Sequence, residues 1–389
     1  MKKARRISKV PPYLFARIDK KREEIVKRGI DIIDLGVGDP DKPTPEYILK
    51  KFHEAADDPK NHNYPPYEGI PEFRLAVANW YKKRFGVKLD PEKEVISLIG
   101  SKEGLAHIFL AFVDMGNICL IPDPCYPVYK TGVLFASGIP VPMPLLEKND
   151  FLPDLSRIPE KIAKMARIMF INYPNNPTGA VADKSFLKDV VAFAKKHDIL
   201  LCSDLAYSEV TFDGYKAPSI LEIKGAKDVA IEFHSLSKSY NMTGWRIGMA
   251  VGNAEAIAGL SIIKTNIDSG VFKAIQIAAV EALSKKPYSV EKMNAIYSKR
   301  RDLLVEGLED LGWKIKKPKG SFFVWARVPK GITSENFTTE LLEKTGIIVV
   351  PGSGYGKFGE GYFRISITVE DKRIKEAIER MKKAGIRYK

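Results

Sequence analysis

Three cysteines, five histidines and one glutamine are spread over 389 residues, and no apolar run reaches the roughly 20 residues needed to span a bilayer. Cys119, Cys125 and Cys202 are odd in number and share no paired ligand spacing. That excludes a disulfide framework and points to a reducing compartment, the cytoplasm. His53, His62, His107, His197 and His234 share no metal-ligand spacing with one another or with the cysteines, so no metal is expected. The basic N-terminus, Met1 to Phe15, lacks the apolar core of a secretory signal, and no membrane association is expected. Gln276 stands alone among many Lys and Glu residues, a bias against heat-labile side chains that hints at a thermophilic source.

What is present is a globular composition, with 45% hydrophobic and 28% charged residues over a length that suits two or three compact units. The net charge of +14 suits anionic ligands, phosphate groups or nucleic acid. Lys and Arg are spread along the chain rather than massed in one arm, and no nucleic-acid recognition motif occurs, so nucleic acid is not an expected partner.

Short apolar runs at Val95 to Ile99, Ile118 to Ile121, Ile168 to Ile171, Ile199 to Cys202, Val229 to Phe233 and Ile247 to Val251 read as buried strands. Between them lie helical stripes such as Leu105, Ile108, Phe109, Phe112 and Leu187, Val190, Val191, Ala194. Alternating strands and helices predict an α/β domain on a mostly parallel sheet. The C-terminal part predicts a smaller α+β domain, with strands at Phe322 to Val328, Ile347 to Val350 and Tyr362 to Val369 and a last helix striped by Ile374, Ala377, Ile378 and Met381. The expected division is 46–274 for the large cofactor-binding domain, and 1–45 with 275–389 for the small one. A long helical stretch from Asn253 to Leu283 is expected to join them, with the N-terminal segment packed on the C-terminal domain.

In open parallel sheets ligands sit beyond the carboxyl ends of the strands, so the residues just after each strand carry the information. Lys238, in Ser235-Leu236-Ser237-Lys238, follows a buried strand where its amine can be desolvated to serve as a Schiff-base lysine. Thr243-Gly244-Trp245-Arg246 adds a guanidinium, and with the Ser hydroxyls it makes a phosphate cradle beside that amine. Phosphate next to such an amine suggests pyridoxal phosphate. Asp204 suits the pyridinium nitrogen, Tyr207 and Asn176 the ring phenolate, and Tyr126 the ring face. Ser101 and Lys102 open a helix whose amides can also ligate phosphate. Arg364 lies opposite the apolar residues of its strand and suits a carboxylate. Each has a plainer reading by itself: a solvated lysine, an N-cap at Asp204, a turn residue at Asn176, a half-buried Tyr126, a capped helix at Ser101, an exposed sheet-face Arg364. Gly354-Tyr355-Gly356-Lys357-Phe358-Gly359 matches G-x-G-x-x-G but precedes a strand, so it reads as a turn rather than a dinucleotide loop.

Tyr-Pro-Asn-Asn-Pro-Thr-Gly at 173 to 179, Asp204 with Tyr207, and Ser-Leu-Ser-Lys-Ser-Tyr-Asn-Met-Thr-Gly-Trp-Arg at 235 to 246 together resemble the class I aminotransferases of pyridoxal-phosphate fold type I, over essentially the whole chain. Pro11 to Phe15, Gly-Ser-Lys-Glu-Gly at 100 to 104, Asn-Ile-Asp-Ser-Gly at 266 to 270 and Gly-Glu-Gly-Tyr-Phe-Arg at 359 to 364 resemble in particular the branch of that family acting on LL-diaminopimelate. The resemblance implies a homodimer that binds pyridoxal 5'-phosphate through Lys238. Ser101, Lys102, Ser235, Ser237 and Arg246 would hold the phosphate end together with Tyr67 from the partner subunit, and Asn176, Asp204, Tyr207 and Tyr126 would hold the ring. Arg364 and the Gly38 backbone would take the substrate α-carboxylate, with Tyr13 and Lys102 near its distal end and Tyr126 and Asn176 beside it. The implied small-molecule partners are L-glutamate and tetrahydrodipicolinate, giving 2-oxoglutarate and LL-diaminopimelate on the way to lysine. The region 259–273 contains Lys264 and Asn266 but no arginine of the kind aspartate aminotransferases use for a distal carboxylate, which weakens a dicarboxylate-only reading. An aspartate or broad-specificity aminotransferase and, less so, a pyridoxal-phosphate β-lyase remain as alternatives on the same residues.

Overall fold

The structure is a computed structural model that describes residues 2–10, 22–24, 26–27, 29–285 and 288–388. Its centre is a seven-stranded sheet built from β2 (Val95–Leu98), β3 (Ile118–Asp123), β4 (Ile139–Pro144), β5 (Ala166–Asn172), β6 (Leu200–Asp204), β7 (Ala230–Ser235) and β8 (Gly248–Gly252). The spatial order is β2-β8-β7-β6-β5-β3-β4, and only β8 runs opposite to the other six strands.

Side chains alternate between the two faces of this sheet, and both faces are buried. Met169 and Ile171 of β5 join one core with helices Pro71–Phe85, Lys184–His197 and Lys273–Ser284, while Ile168 and Phe170 join another with helices Ser101–Phe112, Val128–Phe135 and Ala254–Ile267. Strands covered on both sides need apolar residues at consecutive positions, which is why they are legible as continuous runs. β4 is not legible in that way, because Pro140, Pro142 and Pro144 interrupt it. As an edge strand bonded only to β3, it tolerates the missing N–H donors.

A separate core gathers Tyr297, Leu304, Val305 and Leu308 of helix Tyr288–Asp310 with β9 (Phe323–Arg327), β12 (Tyr362–Ser366) and helix Asp371–Lys383. β11 (Val350–Pro351), β12 and β9 form an antiparallel sheet, with Arg364 paired to Trp325. Part of the N-terminal segment docks here, while its first described helix, Arg5–Ser8, lies against helix Val128–Phe135 of the large domain, with Arg6 donating to the Phe135 carbonyl at 3.3 Å. β1 (Ile33–Asp34) pairs with β10 (Ile347–Ile348), and Arg373 and Arg380 both bond Asp31.

The long helical stretch expected around Asn253 to Leu283 is two helices, Ala254–Ile267 and Lys273–Ser284. Gly270 takes a left-handed φ of 83° and donates its N–H to the Asp268 carboxylate at 2.8 Å, which ends the first helix and turns the chain. The joining role falls to Tyr288–Asp310, whose Val290 sits in the first core and whose Tyr297 onward sits in the second. The glycine-rich stretch 354–359 is a turn leading into β12, as its context predicts. Among the described residues no helix is long and apolar enough to cross a membrane.

Candidate active site

The carboxyl ends of β2, β3, β5, β6 and β7 converge on a cavity of about 380 Å³, and the antiparallel β8 brings Arg246, just before its start, to the same edge. Gly38, Ser101, Lys102, Tyr126, Asn176, Asp204, Tyr207, Ser235, Ser237, Lys238, Arg246 and Arg364 all line it. Tyr67 does not. It is 45% exposed on a loop that packs against the stretch 268–272, outside this cleft. Tyr13 lies outside the described residues.

At one end of the cavity, helix Ser101–Phe112 opens just after Gly100, whose φ of 70° is left-handed. A side chain on Gly100 would run into the Arg246 guanidinium, so glycine serves both the turn and the arginine. Arg246 itself has φ 55° and donates to the Thr243 carbonyl at 2.7 Å. The Ser235 hydroxyl accepts from the Ser237 N–H at 3.1 Å, capping the turn that presents Lys238. Lys238 donates from Nζ to the Gly38 carbonyl at 2.7 Å. Burial pulls its amine down to about 8, Arg364 and Arg246 push the same way, and Asp39 opposes them. Burial, with Arg246 beside it, also lowers the Lys102 amine.

On the floor, Asp204 accepts from the Tyr129 hydroxyl at 2.6 Å and the Ala206 N–H at 3.2 Å. Burial raises this carboxyl to about 6 against the pull of those two bonds. The N-cap reading therefore misses its role, because no long helix follows and the carboxylate is buried in the cavity floor. Tyr129 gives no signal in the sequence, since it belongs to an ordinary helix three residues past Tyr126. Asn172 fastens the neighbouring strands, donating to the Asp204 carbonyl at 2.8 Å and accepting from the Asn176 N–H at 2.9 Å.

Arg364 is only 2% exposed, so the exposed sheet-face reading fails. It bonds Asn176 Oδ1 at 2.8 Å and the Gly36 carbonyl at 2.5 Å, and its guanidinium carbon lies 4.0 Å from the Phe323 ring centre. Tyr207 packs edge-on against Phe322 and Phe323, and burial holds its phenol far up. Lys264 is wholly buried, bonded to both Glu103 oxygens at 3.2 Å and to Asp268 at 2.7 Å, and is taken up by structure rather than offered to a ligand. Glu103, His107 and Asp268 do bring ligand-type atoms together, a grouping that histidine and cysteine spacing does not reveal. The Lys264 amine bonds two of the three, so the cluster is an ion-pair network.

This donor set fits a phosphorylated aromatic aldehyde. Hydroxyls, a helix start and a guanidinium gather at one end, a carboxylate on the floor would suit a basic ring nitrogen, and a desolvated amine lines the same cavity. The sequence model described as aminotransferase class I and II matches residues 30–381. The chain belongs to that family. As a class I and II aminotransferase it takes pyridoxal 5'-phosphate as its cofactor. It is 59% identical to LL-diaminopimelate aminotransferase 2 of Trichormus variabilis and 56% identical to LL-diaminopimelate aminotransferase of Halothermothrix orenii, with 100% of each chain covered in both cases. Among solved structures, substrate-bound BacF from Bacillus subtilis superposes with a TM-score of 0.97 at 38% identity, covering 100% of this chain and 99% of that one.

Proposed function

We propose that this aminotransferase moves an amino group from L-glutamate to tetrahydrodipicolinate, with water, giving 2-oxoglutarate and LL-diaminopimelate for lysine biosynthesis. The observation that carries the reading is the full-length identity of 51–59% to relatives that bear that activity in their name. The site supports it. Ser101, Ser237 and Arg246 would hold the phosphate end, Asp204 the ring nitrogen, and Asn176 and Tyr207 the phenolate. Bound pyridoxal phosphate supplies the sink for the electron pair left when the substrate Cα loses its proton. Lys238 Nζ would hold the cofactor's aldehyde carbon and would move the substrate Cα proton as a base. Arg364 and the Gly38 backbone orient the α-carboxylate, which fixes the face from which Lys238 works.

Lys264 is bonded to Glu103 and Asp268 and lies outside the cavity, whereas Lys102 lines it and would lie near a distal carboxylate. That arrangement does not favour the aspartate-type alternative. The proposed homodimer, with Tyr67 reaching the partner's phosphate end, draws support from the exposure of Tyr64, Tyr67, Ile262, Ile267 and Phe272. These residues lie on neighbouring stretches, since Gly270 approaches Pro65 and His62 lies beside Phe272. A cytoplasmic setting agrees with three buried free cysteines.

The test is the visible spectrum of the purified protein during separate additions of LL-diaminopimelate, meso-diaminopimelate, glutamate and aspartate. Bleaching of the lysine-bound cofactor by LL-diaminopimelate and glutamate alone is expected. Bleaching by aspartate instead would remove the lysine-pathway assignment while keeping the aminotransferase.

A further inference from the structure

Four successive carbonyls of residues 35–38 are each claimed by a different donor. Leu35 O accepts from the Ser366 N–H at 2.7 Å, Gly36 O from Arg364 Nη2 at 2.5 Å, Val37 O from Thr368 Oγ1 at 2.9 Å and Gly38 O from Lys238 Nζ at 2.7 Å. The segment thus touches both side chains assigned to the chemistry, Arg364 and Lys238, and Val37, Gly38 and Asp39 line the cavity. Its N-terminal end is fixed, because Leu35 also donates to the Ile348 carbonyl at 2.9 Å. Past Gly38 the chain is held at Pro43 and Thr44 by Asn241, and at Asp41 by a contact of a different kind. Asp41 receives both guanidinium nitrogens of Arg300, at 2.7 and 2.9 Å, and Arg300 also reaches Asp371 at 3.2 Å. Arg300 is 2% exposed and belongs to helix Tyr288–Asp310, which spans the two cores. Burial tends to raise the Asp41 carboxyl, and the bonds from Arg300 outweigh it, leaving the group below its ordinary value.

We propose that Arg300 and Asp41 are positioning residues for substrate binding: their forked ion pair holds the stretch Gly36–Gly38 in register with Arg364 and Lys238, and so sets the affinity for the substrate α-carboxylate. Neither residue touches the cavity. A bidentate pair this buried is geometrically specific, and removing one partner frees a segment whose carbonyls then no longer point at fixed donors. The inference rests on the reading of Arg364 as the carboxylate receptor.

The test uses the full-length holoenzyme carrying Asp41→Asn, Asp41→Glu or Arg300→Lys, with Arg364→Gln as the control. In Asp41→Asn the KM for both glutamate and 2-oxoglutarate is expected to rise about tenfold, with kcat within about threefold and cofactor affinity within about twofold. Asp41→Glu is expected to recover part of the KM. Arg300→Lys keeps the charge but loses the fork, and it carries the same KM expectation if Asp41→Asn does not fold. A purely structural role would lower the melting temperature and the active fraction and leave KM alone, and that result overturns the proposal. If Arg364→Gln raises KM and the Asp41 and Arg300 variants do not, the positioning role alone falls. If Arg364→Gln leaves KM unchanged, the carboxylate reading falls with it.

Discussion

Lys238 illustrates how burial converts a common side chain into a reactive one. Its amine, drawn to about 8 by desolvation first and by two arginines second, is protonated below that pH and free above it. Only the free amine can attack an aldehyde, so the rate at which apo-protein captures pyridoxal phosphate should climb with pH through about 8 and level off near pH 9 to about 10. A lysine with its ordinary affinity of 10.5 would still be accelerating there, and a rate still rising at pH 10 would contradict the desolvated setting. The same scale shows what sequence reading can and cannot reach. Lys238, Arg246 and Asp204 are legible because each stands beside the end of a buried strand. The burial of Arg364 is not, since period-two alternation places it opposite the apolar face of β12, which reads as solvent. In the fold that second face is covered by Gly36 and Asn176, residues about 330 and 190 positions away. Tyr129 and the Arg300–Asp41 pair are invisible for the same reason, because each depends on a partner brought in by tertiary contact.

At the scale of elements, the turn between β2 and helix Ser101–Phe112 is the most exacting. Gly100→Ala would impose φ 70° with ψ 155°, a combination essentially restricted to glycine, on a residue with a Cβ, at a cost of roughly 1 to 3 kcal/mol, and would drive that Cβ against Arg246. The arginine tip can swing aside, but swinging aside would remove it from the proposed phosphate end. We expect Gly100→Ala to weaken pyridoxal-phosphate binding about tenfold, measured by titrating apo-protein, while the KM for glutamate stays near its original value. Unchanged cofactor affinity would mean that Arg246 does not serve the phosphate. Most strands of the large sheet are legible because two helical layers cover them. The misses have local causes: prolines at an edge hide β4, and Gly270 with the Asp268 carboxylate splits a helix whose apolar pattern runs on across the break.

For the whole molecule, the decisive feature is apolar surface left in water. Tyr64 is 84% exposed and Ile262 65% exposed, and with Tyr67, Ile267 and Phe272 they come from two stretches that pack together. Scattered exposed apolar residues need no explanation, but exposed apolar residues on two neighbouring stretches suit a subunit interface. In the proposed dimer each Tyr67 completes the other subunit's phosphate end, so assembly and cofactor retention are linked. Ile262→Asp places a charge on an exposed helix face, where it should change the stability of a lone subunit by no more than about 0.5 kcal/mol. Within an interface the same charge would be buried without a partner and would drive the subunits apart. Sedimentation of Ile262→Asp is therefore expected to show half the mass of the original protein, with folded circular dichroism retained and the visible absorbance of bound cofactor reduced at equal protein concentration. A variant that stays dimeric and fully yellow would place the interface elsewhere and return Tyr67 to the role of an ordinary surface tyrosine.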